Sequence, residues 1–143
     1  VEKHYKSKTL AAWIALVAGS LGLHRLYLHG FRDALAWAHP PLTALGLVGL
    51  NRWQTLGQDD RLAWLLLPLL GLMLAQGMFV AILHGLTPDE RWDARHNPTH
   101  AVVATHWGPV LAAIFGLLLG AGLLMSSVAY GIQMFFQWQL GPA

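Results

Sequence analysis

The chain has no cysteine among its 143 residues. Disulfides, thiolate metal sites and thiol catalysis are therefore excluded. Charge is scarce as well. Only 11% of residues are Asp, Glu, Lys or Arg, where a soluble domain carries about 25%. The formal net charge of +2 is too small, and too scattered, to point to nucleic acid. The acids are Glu2, Asp33, Asp59, Asp60, Asp89, Glu90 and Asp93, and all are expected in loops or at interfaces. A proton-coupled transporter needs ionisable groups at depth, so this pattern argues against one. No nucleophile elbow or phosphate loop is present, and neither an enzymatic activity nor a cofactor is expected.

What the chain does have is apolar length. Hydrophobic residues make up 55% of it, and runs of about 20 recur, the length a helix needs to cross hydrocarbon. Four spans are expected, at residues 9–28, 34–53, 62–86 and 107–138. With no water in the bilayer to satisfy the backbone, they must be helices. The fold expected is an all-α, polytopic integral membrane protein with four transmembrane helices and a short interfacial helix. The first run reads as a retained signal anchor rather than a cleaved signal peptide, because three more runs follow.

Tryptophan placement agrees. Trp37, Trp53, Trp64, Trp107 and Trp138 lie near expected span ends and Trp13 is close to one, as suits rings that prefer headgroup level. Trp92 falls in the polar connection 87–106. Asp33 and Asp60 open the second and third spans as N-caps, and the two starts match at an offset of 27, continuing to Pro41/Pro68 and Leu42/Leu69. Such a match suits an inverted repeat or convergence of two interfacial helix starts. Thr87-Pro88-Asp89-Glu90 reads as a capping box opening a short helix to about Arg95. Pro40-Pro41 implies that the second span starts, breaks and restarts.

Alternation of four spans puts the N-terminus, loop 54–61 and the C-terminus on one side. Lys3, Lys6 and Lys8 lead the first span, so that side is expected to be cytoplasmic, in a bacterial inner membrane. His24, His29, His39, His84, His96, His100 and His106 then share the other side, with His4 opposite. Histidine is the commonest metal ligand, but it also suits interfaces, and no pair here has firm ligand spacing. His39 and His84 are the candidate cofactor or metal residues, because both should lie partly within the bilayer.

Small residues mark packing faces. Ala11, Ala15, Gly19 and Gly22 form a stripe on the first span, expected to face the second. Gly116 and Gly120 form a GxxxG pair in the fourth, suited either to this chain's own helices or to another subunit. Gln76, in mid-span, is expected to be hydrogen-bonded within the bundle.

Residues 6–53 resemble the TM2-domain family, in which a lysine-led helix ends in a motif close to Gly-x-x-Gly-x-His-Arg-Phe-Tyr-Leu-Gly before a tight turn and a second helix. Gly19, Gly22, His24, Arg25, Tyr27 and Leu28 match in order, while Leu26 replaces the usual aromatic and His29 intervenes before Gly30. The resemblance implies a two-helix hairpin over residues 1–53 with the motif in its turn, where Arg25 can pair with Asp33. It implies no reaction, and it leaves the second helix pair, 54–143, uncovered.

The leading expectation is a non-enzymatic accessory or assembly subunit. Its partners would be the lipid bilayer and other membrane protein subunits, in a homo- or hetero-oligomer joined by helix–helix contacts. One alternative is a cofactor- or pigment-associated subunit of an electron-transfer or photosynthetic complex, using the histidine face. Another is a small channel or transporter.

Overall fold

The computed structural model describes residues 4–141; Glu2 and Lys3 lie outside them. Six α-helices follow one another: α1 (Lys8–Ala18), α2 (Leu23–His29), α3 (Ala34–Leu56), α4 (Arg61–Leu86), α5 (Asp89–His96) and α6 (Trp107–Leu140), with a 3-10 turn (Gly19–Leu21) between α1 and α2. No strand occurs among the described residues. Helix α4 is central, with α3 and α6 packed along it.

Two helices, α4 and α6, are long and apolar enough to cross a membrane, not four. The first expected span is not one helix. It runs inward as α1 for about 16 Å, breaks, and comes back as α2. The break falls at Gly22, whose φ of +73° lies in the left-handed region that favours glycine. The return is complete, because Tyr27 on α2 accepts hydrogen bonds from Lys6 and Ser7 at the start of α1. The second span, α3, has the length, but His39, Pro40, Pro41, Thr43 and Asn51 dilute its apolar run.

The α1–α2 hairpin lies against α4. Gly19 and Gly77 meet backbone to backbone: a Cβ on Gly77 would come within 2.8 Å of the Gly19 Cα and 2.9 Å of the Ala15 carbonyl. The small-residue stripe of α1 therefore serves α4, rather than the second span as expected. Ser20 and Thr43 tie the hairpin's tip to α3 through a hydroxyl-to-carbonyl bond.

Helix α3 does not break at its prolines and is continuous from Ala34 to Leu56. Pro40 has no N–H to offer the Ala36 carbonyl. That oxygen lies against Gly22, where a Cβ would sit 2.5 Å away. The missing side chain of one element thus leaves room for the uncoupled carbonyl of another.

Two corners are built alike. The α2–α3 and α3–α4 turns each hold an Arg–Asp ion pair, Arg25–Asp33 at 2.8 Å and Arg52–Asp60 at 2.7 Å. Each has a left-handed glycine, Gly30 or Gly57, and an N-capping aspartate. In each, a tryptophan Nε1 donates to a carbonyl six residues back, Trp37 to Phe31 and Trp64 to Gln58. The offset of 27 is shared by all of these, and it extends back through Gly19/Gly46, Gly22/Gly49 and Leu23/Leu50. The corners cap opposite ends of α3, as an inverted pair would.

A test of hairpin docking follows from the Gly19–Gly77 approach. Gly77→Leu is expected to cost about 2 kcal/mol or more, through overpacking against backbone that cannot yield. Gly122→Leu, with open space around the added carbon, is expected to be neutral. Unfolding by heat or SDS measures both; equal stability of the two variants would refute the docking.

Candidate functional site

The polar chemistry collects at one end of the bundle, where the hairpin opens, α4 ends and α5 lies. The sequence from Lys6 to Lys8 is gripped there from two sides. On one, Lys6 Nζ donates to the Tyr27 carbonyl at 2.7 Å, and the Ser7 amide donates to the Tyr27 hydroxyl at 2.8 Å. On the other, Asn97 Oδ1 accepts from the Lys6 amide at 2.7 Å, and the Lys6 carbonyl accepts from Trp92 Nε1 at 2.8 Å. Lys8, 5% exposed, donates to the Thr87 carbonyl at 2.8 Å and pairs with Asp89 at 2.5 Å.

The carboxylates are saturated by this work. Asp89 accepts from the Thr105 amide and hydroxyl as well as from Lys8. Partial burial pushes its carboxyl up, but the bonds from Lys8 and Thr105 outweigh that and bring it down to about 2. Asp93, buried, accepts from Asn97 Nδ2 and from the Val103 amide. The expected capping box is not formed. Thr87 donates its hydroxyl back to the Leu83 carbonyl and finishes α4 instead, and α5 starts at Asp89 without a side-chain cap.

Because the hairpin returns, the N-terminal segment sits beside the 87–106 connection, not across the bundle from it. The expected sidedness of the N-terminus relative to that connection is corrected accordingly, and His4 joins the other seven histidines. His24, 3% exposed, lies between two of them, with ring centroids 5.9 Å from His39 and 6.2 Å from His84. His84 stacks edge-on to Trp92, and Trp92 lies 4.3 Å from the His96 ring. The candidate pair His39 and His84 is thus joined only through His24. His39 Nδ1 is engaged with the Leu35 carbonyl at 2.7 Å. Among the described residues, no three His, Asp or Glu side chains are grouped to hold a metal ion. The Nδ1 atoms of His24 and His84 are buried and find no hydrogen-bond partner there.

The remaining motif residues have structural positions. Gly19 meets α4, Gly22 makes the turn, Arg25 and Asp33 close the first corner, and Tyr27 holds the N-terminal segment. Ala11 and Ala15 are fully buried. Gly116 and Gly120 lie against Met78 of this chain's own α4. Gln76 lines an apolar groove of about 420 Å³ between α4 and α6; contrary to expectation, its Oε1 has no partner among the described residues.

Sequence reasoning missed the grip. Lys6 and Lys8 counted there only as topology signals, and Asp89, Asp93 and Asn97 only as part of, or the end of, a short surface helix. The available signal was the lone acidic cluster of the 87–106 connection, in a chain with so few acids.

The chain matches no protein-family model, and neither a curated protein nor a solved structure matches it.

The Lys8–Asp89 pair yields two tests. Lys8→Met should destabilise the fold by about 2 kcal/mol, less than for a fully buried pair because Asp89 is partly exposed. Asp89 has a depressed carboxyl, so its contribution is complete above the unfolded value of about 4 and is lost as pH falls toward 2. Thermal midpoints should drop over that window, and Asp89→Asn should flatten the drop. An unchanged pH profile in Asp89→Asn would remove the pair from the stability account.

Proposed function

We propose that the chain is an integral membrane protein in which α3, α4 and α6 cross the bilayer, while the α1–α2 hairpin enters from the histidine end and returns to it. The support is the outer surface of the two apolar helices. Only 33% of the apolar window of α4 and 28% of that of α6 is buried inside the protein, whereas a soluble core helix would bury most of its length. Leu65, Phe79, Leu83, Leu118 and Phe136 face outward. Helix α3 belongs with them because it lies antiparallel along α4, with Gly46 against Leu70 and Gly49 against Leu66.

Orientation follows from the basic residues. Lys6, Lys8, Arg25, Arg32, Arg91 and Arg95 sit at the histidine end, and Arg52 and Arg61 at the other. That bias makes the histidine end cytoplasmic. The N-terminus is then inside and the C-terminus outside.

Within this membrane reading, the protein acts without chemistry of its own, as an accessory or assembly subunit. The observation that carries this is the groove between α4 and α6. It is apolar, lined by Leu72, Phe79, Leu117 and Leu124, with the single amide of Gln76. Helices associate in lipid through such close-packed surfaces with an occasional polar contact. The resemblance of residues 6–53 to the TM2-domain family belongs to the same proposal, resting on Gly19, Gly22, His24, Arg25 and Tyr27.

Blue-native electrophoresis of gently solubilised native membranes tests the proposal. The wild type should migrate in a complex with another membrane protein. Ala121→Trp, which fills the groove from an exposed position, should release a folded, free subunit. A wild type that is monomeric throughout, or a complex indifferent to Ala121→Trp, would contradict it.

A further inference from the structure

The grip on residues 6–8 leaves a cavity of about 770 Å³ beside it. Its polar lining is Lys6, Arg95, His4, His29, His84 and His96, and no carboxylate lines it among the described residues. An adjoining cavity of about 520 Å³ shares His84, Arg95 and His96 and adds Arg91. Side chains from four segments thus converge: the N-terminal stretch, α2, α4 and α5.

No carboxylate among the described residues forms an ion pair with this lining. Asp89 and Asp93 have both oxygens engaged, by Lys8 and Thr105 in one case and by Asn97 and Val103 in the other. Asp33 is paired with Arg25. Lys6 donates to a neutral carbonyl and lies 4.9 Å from the Tyr27 ring centroid, and has no ion-pair partner among the described residues. Arg95 is exposed and has no ion-pair or hydrogen-bond partner among the described residues. His84 lines both cavities. His96 shows the field: burial, and then the positive charges of Arg95, His29 and Lys6, push its imidazole below the ordinary value.

We propose that this cavity binds a phosphate-class oxyanion, held by Arg95 and Lys6 with the histidines as further donors. Guanidinium and ammonium groups are the side chains that recognise such anions through charge-assisted bonds. A basic pocket between helix ends near a membrane surface also suits the headgroup of an anionic lipid. The shared chemistry is the phosphate, carried by a lipid or free in solution. This inference is independent of the subunit role proposed above, and its free-phosphate arm does not depend on the membrane reading.

The test uses the full chain. Thermal unfolding in detergent is followed as inorganic phosphate is titrated against chloride at constant ionic strength. Lipid retention is measured in parallel, by native mass spectrometry from nanodiscs of phosphatidylcholine with and without phosphatidylglycerol. Saturable stabilisation by phosphate identifies a free-anion site; selective retention of phosphatidylglycerol without a phosphate response identifies a lipid headgroup site. In either case Arg95→Gln should weaken binding about tenfold, the loss of one charge-assisted contact. That substitution removes no hydrogen bond or ion pair among the described residues. Arg32→Gln, an exposed cation at the same end but outside the cavity, should leave binding unchanged. No response to either phosphate or anionic lipid overturns the proposal, and so does an equal loss in Arg95→Gln and Arg32→Gln.

Discussion

The grip on Lys6, Ser7 and Lys8 decides the architecture. From Lys8 to His29 the chain is long enough, at about 33 Å if helical throughout, to cross a bilayer. It does not run that way, because both ends of this stretch are tied to the same place. Tyr27 reaches back to Lys6 and Ser7, while Asp89, Trp92 and Asn97 hold the same short segment from the other side. These bonds are directional and lie mostly on main-chain groups or on a partly buried ion pair. They select one geometry where apolar burial alone would accept several. The hairpin, the gathering of the histidines at one end and the basic cavity beside it are consequences of that tie.

The repeated corner supplies the rest. Arg25, Gly30, Asp33 and Trp37 recur as Arg52, Gly57, Asp60 and Trp64, with the same ion pair, left-handed glycine, N-cap and indole bond. The copies diverge upstream. In the second, Gly46 and Gly49 stay helical and lie flat on Leu70 and Leu66 of α4. In the first, Gly19 meets Gly77, but Gly22 turns left-handed and the helix reverses. One Gly-x-x-Gly pattern thus serves a straight helix packed on its neighbour in one place and a reversal in another. The difference lies in what surrounds it: Ser20 is anchored to Thr43 and Tyr27 to the N-terminal segment.

Helix content, the extents of α3, α4 and α6, and the aspartate caps were legible in residue patterns, because they depend on local periodicity and capping. The Arg25–Asp33 contact was legible for the same reason, spanning one tight turn. The reversal at Gly22 was not. Hydropathy cannot distinguish an apolar helix from two apolar half-helices; the bonds that close the reversal join Tyr27 to Lys6 and Ser7 some 20 positions back, and those that hold the same segment against α5 span some 90. The continuous α3 was missed because proline rules count the lost N–H bond and not the neighbour at Gly22 that accommodates the freed carbonyl. The histidine face was read correctly as a grouping for seven residues, but its composition near Lys6 and Arg95 depends on where the N-terminus lies, and that was set by the same distant bonds.

The absence of native cysteine makes the central claim open to a direct measurement. Single cysteines placed at His4→Cys, Thr99→Cys and Gln58→Cys, all exposed positions, are labelled with a membrane-impermeant maleimide in oriented vesicles. A re-entrant first segment predicts that His4→Cys and Thr99→Cys react from the same side and Gln58→Cys from the opposite one. Labelling of His4→Cys together with Gln58→Cys, and apart from Thr99→Cys, would mean that the first apolar segment crosses, and would contradict the account.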